Sequence, residues 1–312
     1  MSRKSRVVAT AVQLALAALV FQLAACKSGK SSIRTFASQE EAGAALLYAA
    51  QYGDEAALTA ILGPDSKEII SSGDAVEDKN SVSAFVNAYK VMHRWRRMGD
   101  GYETLLVGYT NYPFAVPLKQ NQEGQWVFDT VAGKEEVLNR RIGRNELAII
   151  EVCDAVANAQ AQYYSQAHDG APAKQYALKF ISDPGKHNGL YWDSPAGQPK
   201  SPLGPLAAFA TAEGYNVKPD AHVPFHGYYF HMLKGQTANT PGGAREYVVK
   251  QKMTGGFAFV AYPAEYGNSG VMTFIVNQDG VLLQKDLGTN TAQLATAMTE
   301  FDPDSKWNIV GQ

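Results

Sequence analysis

A long amphipathic segment at residues 145–166 constrains the fold of this chain more than any other feature. Its apolar side chains recur at helical spacing, which predicts one broad buried face with a second apolar strip beside it. The face comprises Leu147, Ile150, Cys153, Ala157 and Tyr164, and the strip comprises Val152, Val156 and Tyr163. A helix of this kind must bury its apolar face against another layer, so the neighbouring segments decide the fold class.

The C-terminal third supplies a sheet that can cover this helix. Consecutive short segments there are rich in aromatic and β-branched residues, namely HGYYFHMLK, REYVVKQ, GGFAFVAYPA, GVMTFIVNQDG and VLLQKDL. They predict antiparallel strands, and the Asp279-Gly280 pair predicts a tight hairpin turn. A short helix at 133–141 that ends near Gly143 and a last helix at 291–298 complete the prediction. The resulting unit spans residues 133–312, with the long helix packed on the sheet.

Residues 36–132 predict a smaller unit of helices and strands. Ser38 and Glu41 have capping-box spacing at the start of a helix, and apolar spacings of three and four predict a third helix at 81–98. The segments YETLLVGYT, YPFAVPLKQ and QWVFDT predict a small antiparallel sheet, with NQEGQ as a hairpin turn. The whole chain is therefore predicted to be an α+β protein. Its opening segment SQEEAGAALLYAAQYGDEAALTAIL is similar to the start of NTF2-like cone domains.

The N-terminus predicts export. Three basic residues precede an apolar run from Val7 to Leu23, which is the order found in signal peptides. The run is shorter than the ~20 apolar residues of a transmembrane helix, so a permanent span is the weaker interpretation. The sequence Leu23-Ala24-Ala25-Cys26 resembles the bacterial lipoprotein box, in which cleavage precedes the cysteine and the sulfur carries diacylglycerol. The alternative is an ordinary signal peptide with a chance cysteine.

The lipoprotein interpretation divides the N-terminus into three parts. Residues 1–25 are a signal peptide, Cys26 is the lipid attachment site, and the polar residues 26–35 are a tether. Stable anchoring then comes from more than one acyl chain, because each buried CH₂ contributes about 0.8 kcal/mol. By resemblance to enterobacterial sorting, Lys27 after the cysteine favours the outer membrane, with the protein facing the periplasm.

Charge and cysteine content exclude several classes of function. Removal of residues 1–25 leaves 25 of the 28 Lys and Arg against 30 Asp and Glu, a formal charge of −5. Such a chain has no general affinity for nucleic acid. Lipidation of Cys26 leaves Cys153 without a disulfide partner, and its apolar setting favours a small core residue over a nucleophile. No zinc-ligand spacing occurs, and no cofactor is predicted.

Several stretches together resemble one protein family. The stretches GKEEVLNRRIGRNELAIIEVCDAVANAQAQYY, DPGKHNGLYW, SPLGPL, HGYYFHML and GGFAFVAYPAEYGNSGVMTFIVNQDGVLLQKDLG resemble the bacterial domain of unknown function 2950 family, in the same order. The resemblance covers about residues 36–307 and implies an exported, often lipidated protein of a Gram-negative envelope. The helix-then-sheet order of the C-terminal half also resembles the globular part of type IV pilin-like proteins. Here GKEEVLNRRIGR precedes the helix instead of the hydrophobic half that pilins use for assembly.

A segment rich in Pro and Gly, residues 182–224, is predicted to be a long loop that either binds a ligand or covers a sheet edge. A second candidate lies in the strand connection YPAEYGNSG, because functional residues often occupy such connections. Together they give a possible ligand surface for a peptide or glycan. Its residues are Lys186, His187, Tyr191, Trp192, Glu265 and Tyr266. The alternative is that these side chains pack the loop onto the domain.

Basic and histidine clusters have structural interpretations as well as functional ones. Arg140, Arg141 and Arg144 are predicted to grip carboxylates of the first unit and act as an interdomain anchor, and anion or lipid-headgroup binding is the alternative. The predicted carboxylate partners are Asp129, Glu135 and Glu136. The basic segment HRWRR is placed near a helix C-terminus, where cations suit the macrodipole. Neither the cluster of His222, His226 and His231 nor the pair His168 and Asp169 is predicted to bind a metal.

These features predict a lipid-anchored envelope protein that is not an enzyme and that binds a partner or supports envelope structure. The sequence contains no Gly-x-Ser-x-Gly elbow, P-loop, His-Glu-x-x-His or dinucleotide fingerprint. The expected partners are the membrane, through the N-terminal lipid, and an envelope protein or glycan. The alternative is a hydrolase of an envelope polymer, with a site between the 182–224 segment and the C-terminal sheet.

Overall fold

The computed structural model describes residues 33–195, 197–198, 200–218 and 223–311. The predicted signal peptide, Cys26, most of the tether and His222 lie outside these residues. The fold is α+β, as predicted, with helices and several antiparallel sheets. In the described ranges, none of the helices combines the length and the apolar character needed to cross a membrane.

The N-terminal part packs helices against one antiparallel sheet. The helices are α1 Gln39–Tyr52, α2 Glu55–Leu62, α3 Lys67–Ile70 and α4 Ala75–Val91. The strands are β1 His93–Arg97, β2 Glu103–Val107, β3 Tyr112–Pro113, β4 Leu118–Gln120 and β5 Trp126–Phe128. The strand order is β1-β2-β4-β5, and β3 also pairs with β2. The core between the two layers includes Phe36, Leu46, Ile61, Leu105 and Phe128.

The first helix begins where its sequence predicts. The Ser38 side chain accepts a hydrogen bond from the Glu41 amide at 3.1 Å, and the Glu41 carboxylate accepts one from the Ala37 amide at 3.0 Å. These two bonds satisfy backbone donors that the helix leaves unpaired. Gly53 ends the helix in the left-handed conformation, with φ 63°, which glycine adopts without steric cost.

The third predicted helix is wrong in its bounds. The helix α4 is Ala75–Val91, and the segment HRWRR that was placed at its C-terminus is the strand β1. Asp74 sets the earlier start, because its carboxylate accepts hydrogen bonds from the Val76 and Glu77 amides. The later residues leave the helix because they pair with β2 residue by residue, and this long-range pairing overrides the local apolar spacing.

One helix joins the two parts of the molecule. The helix α5 runs from Thr130 to Tyr164 over 35 residues without a break, so the predicted end near Gly143 is wrong. The helix stays continuous at Gly143 because residues next to this glycine contact both the N-terminal and the C-terminal part of the molecule. Arg144 reaches Glu77 at 2.9 Å, whereas the Glu146 carboxylate accepts hydrogen bonds from the amides of Val271 and Met272, at the start of a strand of the C-terminal sheet. The boundary predicted at 132–133 therefore lies in the first turn of a helix that both parts share.

The C-terminal part contains the remaining elements. Its strands are β6 Lys179–Ile181, β7 Gly189–Tyr191, β8 Tyr228–Leu233, β9 Gly235–Gln236, β10 Arg245–Glu246, β11 Val248–Val249, β12 Lys252–Met253, β13 Ala258–Pro263, β14 Met272–Asn277, β15 Leu282–Asp286, β16 Glu300–Phe301 and β17 Asn308–Ile309, and its helices are α6 Gly204–Glu213 and α7 Thr291–Ala297. The main sheet has the order β17-β15-β14-β13-β8 and is antiparallel throughout. The predicted Asp-Gly turn joins β14 to β15.

The helix α5 covers this sheet with a face that overlaps the predicted one, since Ile150, Cys153 and Ala157 of the predicted broad face pack into the C-terminal core. Ile149, Val152, Cys153, Val156 and Tyr163 are buried in the C-terminal core. Of the predicted broad face, Leu147 is 67% exposed and Tyr164 is 37% exposed. The buried face therefore combines the predicted strip with the adjacent side of the predicted broad face, because the sheet meets the helix between the two. Burial raises the pKa of the Cys153 thiol, so this cysteine is an unreactive core residue.

The segment predicted as a loop at 182–224 contains regular structure. The strand β7 and the helix α6 both lie within it, so the prediction is corrected there. Two of its Pro and Gly residues mark the ends of the helix. Pro205 lies in the first turn, and Gly214 ends α6 in the left-handed conformation with φ 98°.

Candidate functional site

Four of the six predicted surface residues line one pocket. Lys186, His187, Tyr191 and Trp192 surround a cavity of about 270 Å³ beside the connection between β6 and β7. The remaining lining residues are Ile181, Ser182, Asp183, Pro184, Gly185, Asp193 and Val217. Residues that are close in sequence thus form a single concave site, which we call the Trp192 pocket.

The floor of the Trp192 pocket is a tight turn. The Asp183 amide donates to the Asn188 side-chain oxygen at 3.0 Å, and the Asn188 amide group donates back to the Asp183 carboxylate at 2.8 Å. A Cβ atom on Gly189 would lie 2.6 Å from the Ile181 carbonyl carbon, so only glycine allows this approach of β7 to β6. These contacts hold the pocket in a fixed shape before any ligand arrives.

A permanent negative charge lies at one side of the Trp192 pocket. Hydrogen bonds from Lys179 and Asn188 lower the pKa of the Asp183 carboxyl to about 2. The Lys179 ammonium is 2.5 Å from this carboxylate and the Lys186 ammonium is 3.6 Å away. At neutral pH the carboxylate is therefore an acceptor only and cannot donate a proton to a ligand.

The opposite side of the Trp192 pocket is aromatic. The Trp192 ring lies 4.6 Å from the His187 ring and 6.5 Å from the Tyr163 ring, measured between centroids. The Tyr163 hydroxyl donates to the His187 carbonyl at 2.6 Å. Burial raises the pKa of Tyr163 to about 12, so this hydroxyl keeps its proton. The His187 amide donates to the Asp169 carboxylate at 2.8 Å. This hydrogen bond joins the aromatic side of the pocket to the segment after α5.

Two residues that support the aromatic side of the pocket were not among the predicted site residues. Asp169 was considered only as a metal ligand and rejected, yet it binds His187. His168 was interpreted in the same way, yet it is buried and stacks on Tyr163 with centroids 3.9 Å apart. The sequence signal that could have identified them is a histidine and a carboxylate shortly after the long helix. The contacts of these two side chains hold that segment against the core.

Glu265 and Tyr266 do not join the pocket. The Glu265 carboxylate accepts a hydrogen bond from the Asn268 side chain at 2.7 Å, close to the connection between α3 and α4. The Tyr266 hydroxyl donates to Asp286 at 3.2 Å, on the β15 side of the sheet. The candidate surface predicted from sequence is thus divided, and four of its six residues line the Trp192 pocket.

Arg141 and Arg144 of α5 make contacts at the junction between the two parts, whereas Arg140, predicted to share this role, donates to the Pro113 carbonyl at 2.6 Å in the N-terminal sheet. Arg141 is buried and donates to the Glu68 and Ile69 carbonyls at 2.7 and 2.9 Å, and also to the Asn268 side chain. Arg144 pairs with Glu77 at 2.9 Å. Burial lowers the pKa of Arg141, and the guanidinium stays protonated because its ordinary value is so high. The contacts of Arg141 therefore join α3, α5 and the β13–β14 connection.

The carboxylates predicted for these arginines are mostly engaged elsewhere. The exception is Glu136, which pairs with Arg140 at 2.7 Å along α5, in agreement with the prediction. Asp129 instead caps α5 and pairs with Lys119 at 2.5 Å. Within the described ranges no ion pair joins Glu135 to an arginine. The reason is the continuous helix, which points Arg141 and Arg144 at α3 and α4 rather than back along their own helix.

A buried carboxylate completes the junction. Asp74 is fully buried, and its carboxylate accepts hydrogen bonds from the Tyr215 hydroxyl and the Gly227 amide, both at 2.9 Å. Burial and the Asp74 charge raise the pKa of Tyr215, so the hydroxyl remains a donor. We call Asp74, Arg141, Tyr215 and Asn268 the junction cluster.

The histidines of this region have separate partners. The His226 ring is 3.2 Å from the Glu213 carboxylate, and the His231 ring is 2.9 Å from the Met298 carbonyl. In the described part of the chain, no group of three or more His, Cys, Asp or Glu side chains is arranged to hold a metal ion.

Comparison with known proteins gives one match. No curated protein is significantly similar to this chain. No solved structure matches it significantly either, so the resemblance to pilin-like and NTF2-like folds has no support from that comparison. A family model does match, and it covers residues 33–310, which include the Trp192 pocket and the junction cluster. The chain therefore belongs to the family described as protein of unknown function (DUF2950), as its sequence pattern predicted.

Proposed function

We propose that this chain is a lipid-anchored envelope protein that binds a sugar residue of an envelope glycan in the Trp192 pocket. The observation that carries the proposal is the convergence of Trp192, Tyr191, His187 and Lys186 on one cavity beside Asp183. The anchor is inferred from the lipoprotein box at Leu23–Cys26, and two or more acyl chains there would hold the chain at a membrane surface.

The chemistry of the Trp192 pocket suits a sugar. A sugar ring has an apolar face of C–H groups and a rim of hydroxyls, so it matches one aromatic wall facing charged donors and acceptors. Asp183 and Asp193 offer acceptors and Lys186 offers donors, with the Asp193 carboxylate already accepting from the Tyr191 hydroxyl at 2.7 Å. The cavity of about 270 Å³ is near the lower end of ligand pockets, roughly 300 Å³. It therefore suits one ring-sized group.

The same geometry argues against the hydrolase alternative. Glycoside hydrolysis uses a carboxylic acid whose pKa is raised, so that it can protonate the leaving group. In the Trp192 pocket the Asp183 pKa is lowered to about 2, and Lys179 and Asn188 occupy its oxygens. A carboxylate held in this state orients a ligand hydroxyl but does not supply a proton.

The binding proposal is tested with chitotetraose, an oligomer of N-acetylglucosamine, by calorimetry on the full chain in detergent. We expect saturable binding that Trp192→Ala weakens at least about tenfold, as truncation of a central aromatic contact does. The matched control is Tyr109→Ala, because Tyr109 is 85% exposed and lies outside the pocket. Equal affinity of the two variants, or cleavage of the oligomer by the wild type, contradicts the proposal.

The anchor is tested separately by mass spectrometry of the mature N-terminus. We expect the first residue to be Cys26 carrying diacylglycerol, and Cys26→Ser to release the chain from the membrane fraction. A mature chain that begins elsewhere, or a free thiol at Cys26, contradicts the anchor and leaves the Trp192 pocket to be judged on its own experiment.

A further inference from the structure

The strand β1 is an edge of the N-terminal sheet with an open side. It pairs with β2 alone, and no other strand in the described ranges lies beside it. The Gly108 amide donates to the Met92 carbonyl and the Met98 amide donates to the Tyr102 carbonyl, both at 2.8 Å. In an antiparallel pair such hydrogen-bonded positions alternate. The backbone groups of His93, Trp95 and Arg97 therefore point away from β2.

An aromatic groove runs beside this edge. Residues of α1 and β1 line a cavity of about 680 Å³. Its lining residues are Glu40, Ala44, Leu47, Tyr48, Gln51, Tyr52, Tyr89, His93, Arg94 and Trp95. Tyr48 and Tyr52 are 63% and 66% exposed, and their ring centroids lie 4.7 Å apart. Exposed paired tyrosines next to an open strand edge are apolar contact area that the described fold leaves uncovered.

The open edge carries excess positive charge. Arg94, Arg96 and Arg97 are all exposed, and only Arg97 has a carboxylate within reach, Glu103 at 3.8 Å. Within the described residues Arg94 and Arg96 make no ion pair. A strand edge of this charge repels basic chains and attracts acidic ones.

We propose that the β1 edge and the Tyr48–Tyr52 groove bind an acidic segment of a partner protein in extended conformation. The segment adds a strand to β1 through the backbone groups of His93, Trp95 and Arg97, and its acidic side chains face Arg94 and Arg96. Alternate apolar side chains of the segment enter the groove beside Tyr48 and Tyr52. This surface is separate from the Trp192 pocket, so the proposal stands independently of the sugar ligand.

Two other occupants fit the observations less well. Residues 1–32 of this chain contain five basic residues and no acidic ones, so their charge does not complement the edge. A lipid surface supplies negative charge but no ladder of backbone donors and acceptors. An extended acidic peptide satisfies the charge, the unpaired backbone groups and the aromatic groove together.

The test uses a labelled seven-residue peptide of alternating Glu and Val, with fluorescence anisotropy on the full chain in detergent. Two control peptides separate the components of binding. One replaces Glu with Lys, and the other carries N-methyl groups on alternate amides, which block strand pairing without a change in charge. We expect no measurable binding of the Lys peptide and at least about tenfold weaker binding of the methylated peptide, because several hydrogen bonds are lost.

Variants of the protein test the same surface. The double variant Arg94→Glu, Arg96→Glu should weaken binding at least about tenfold, since it reverses two charges at the contact. The matched control Lys174→Glu, Lys252→Glu reverses two exposed charges elsewhere and should change nothing. Arg97→Pro removes a backbone donor on the open side and should bind more weakly than Arg97→Gln, which removes only the charge.

Hydrogen exchange locates the contact and decides against the alternatives. We expect the amides of His93, Trp95 and Arg97 to exchange quickly in the free chain and to become protected when the peptide binds. Protection of these amides before peptide is added would mean that another part of the chain already occupies the edge, which overturns the proposal. Equal binding of all three peptides also overturns it, as does binding of phosphatidylglycerol vesicles in place of the peptide.

Discussion

The junction cluster and the Trp192 pocket are both polar, but they differ in solvent exposure. Asp74 is fully buried and Arg141 is 8% exposed, and their hydrogen bonds go to other parts of the protein. Lys186 and His187 are exposed at the mouth of the pocket, and the charges there still face solvent. A buried polar group that is fully bonded stabilises one arrangement of the chain. An exposed polar group on a rigid floor remains able to exchange water for a ligand.

The two regions should therefore differ in what their side chains contribute, stability at the junction and ligand affinity at the pocket. Loss of one partner at the junction leaves buried donors or acceptors without water, and each such group costs about 1–3 kcal/mol. Loss of an exposed side chain at the pocket, such as that of Lys186, leaves its neighbours in contact with solvent and costs little stability. Substitutions at the junction should therefore lower the free energy of unfolding, and substitutions at the pocket should lower ligand affinity.

The largest expected effect is that of Arg141→Met. Methionine removes the guanidinium and leaves the buried Asn268 side chain and the part-buried Glu68 and Ile69 carbonyls without their donor. We expect the free energy of unfolding to fall by about 3 kcal/mol, measured by urea denaturation. The matched control is Arg144→Gln on the same helix, whose ion pair with Glu77 is half exposed and should contribute less than about 1 kcal/mol. Equal losses in the two variants would remove the distinction between a buried anchor and a surface ion pair.

A smaller loss is expected from Asp74→Asn. The carboxylate accepts four hydrogen bonds, from the amides of Val76, Glu77 and Gly227 and from the Tyr215 hydroxyl. In Asn one of the two oxygens is replaced by an NH₂ group, which is itself a donor and faces donors of the protein. The free energy of unfolding should fall by about 2 kcal/mol, again in urea.

The control for Asp74→Asn is Asp54→Asn. Asp54 is the exposed N-cap of α2, where Asn caps about as well as Asp, so the change should be within about 0.5 kcal/mol. If both variants lose the same amount, Asp74 acts only as a helix cap and does not join the two parts.

The same comparison explains which features the sequence could predict. The Trp192 pocket was predicted for four of its residues because they are neighbours in the chain, so one turn brings them together. The junction cluster joins residues as far apart as Asp74 and Gly227 or Arg141 and Asn268. No local pattern contains such pairs, so the sequence predicted Asp129, Glu135 and Glu136 as partners of the three arginines, and of these only Glu136 pairs with one of them, Arg140, four residues along the same helix.

Secondary structure follows the same rule. The cap of α1 and the Asp-Gly hairpin were predicted correctly because each depends on residues within one turn. The strand β1 and the continuity of α5 were missed because each depends on distant partners, β2 for the strand and both halves of the molecule for the helix. Helix propensity at Gly143 is a weak local signal that this packing overrides.

The smallest expected effect is on the pKa of the Asp183 carboxyl, which is measured by titration. The Asp183 pKa is lowered from 3.8 to about 2, chiefly by the hydrogen bond from Lys179. A carboxyl whose folded pKa is lowered stabilises the fold fully above its unfolded value, and this contribution disappears as the pH falls through about 2. Carbon-13 NMR of the side-chain carboxyl should therefore show a wild-type midpoint near 2, so the pocket keeps its charge at every physiological pH.

Lys179→Met should raise the midpoint toward 3.8, and Lys186→Met should raise it less, because the Lys186 ammonium is 3.6 Å away instead of 2.5 Å. A wild-type midpoint near 4 would mean that Asp183 is held as loosely as any surface carboxylate, and that the floor of the Trp192 pocket is no more rigid than ordinary surface.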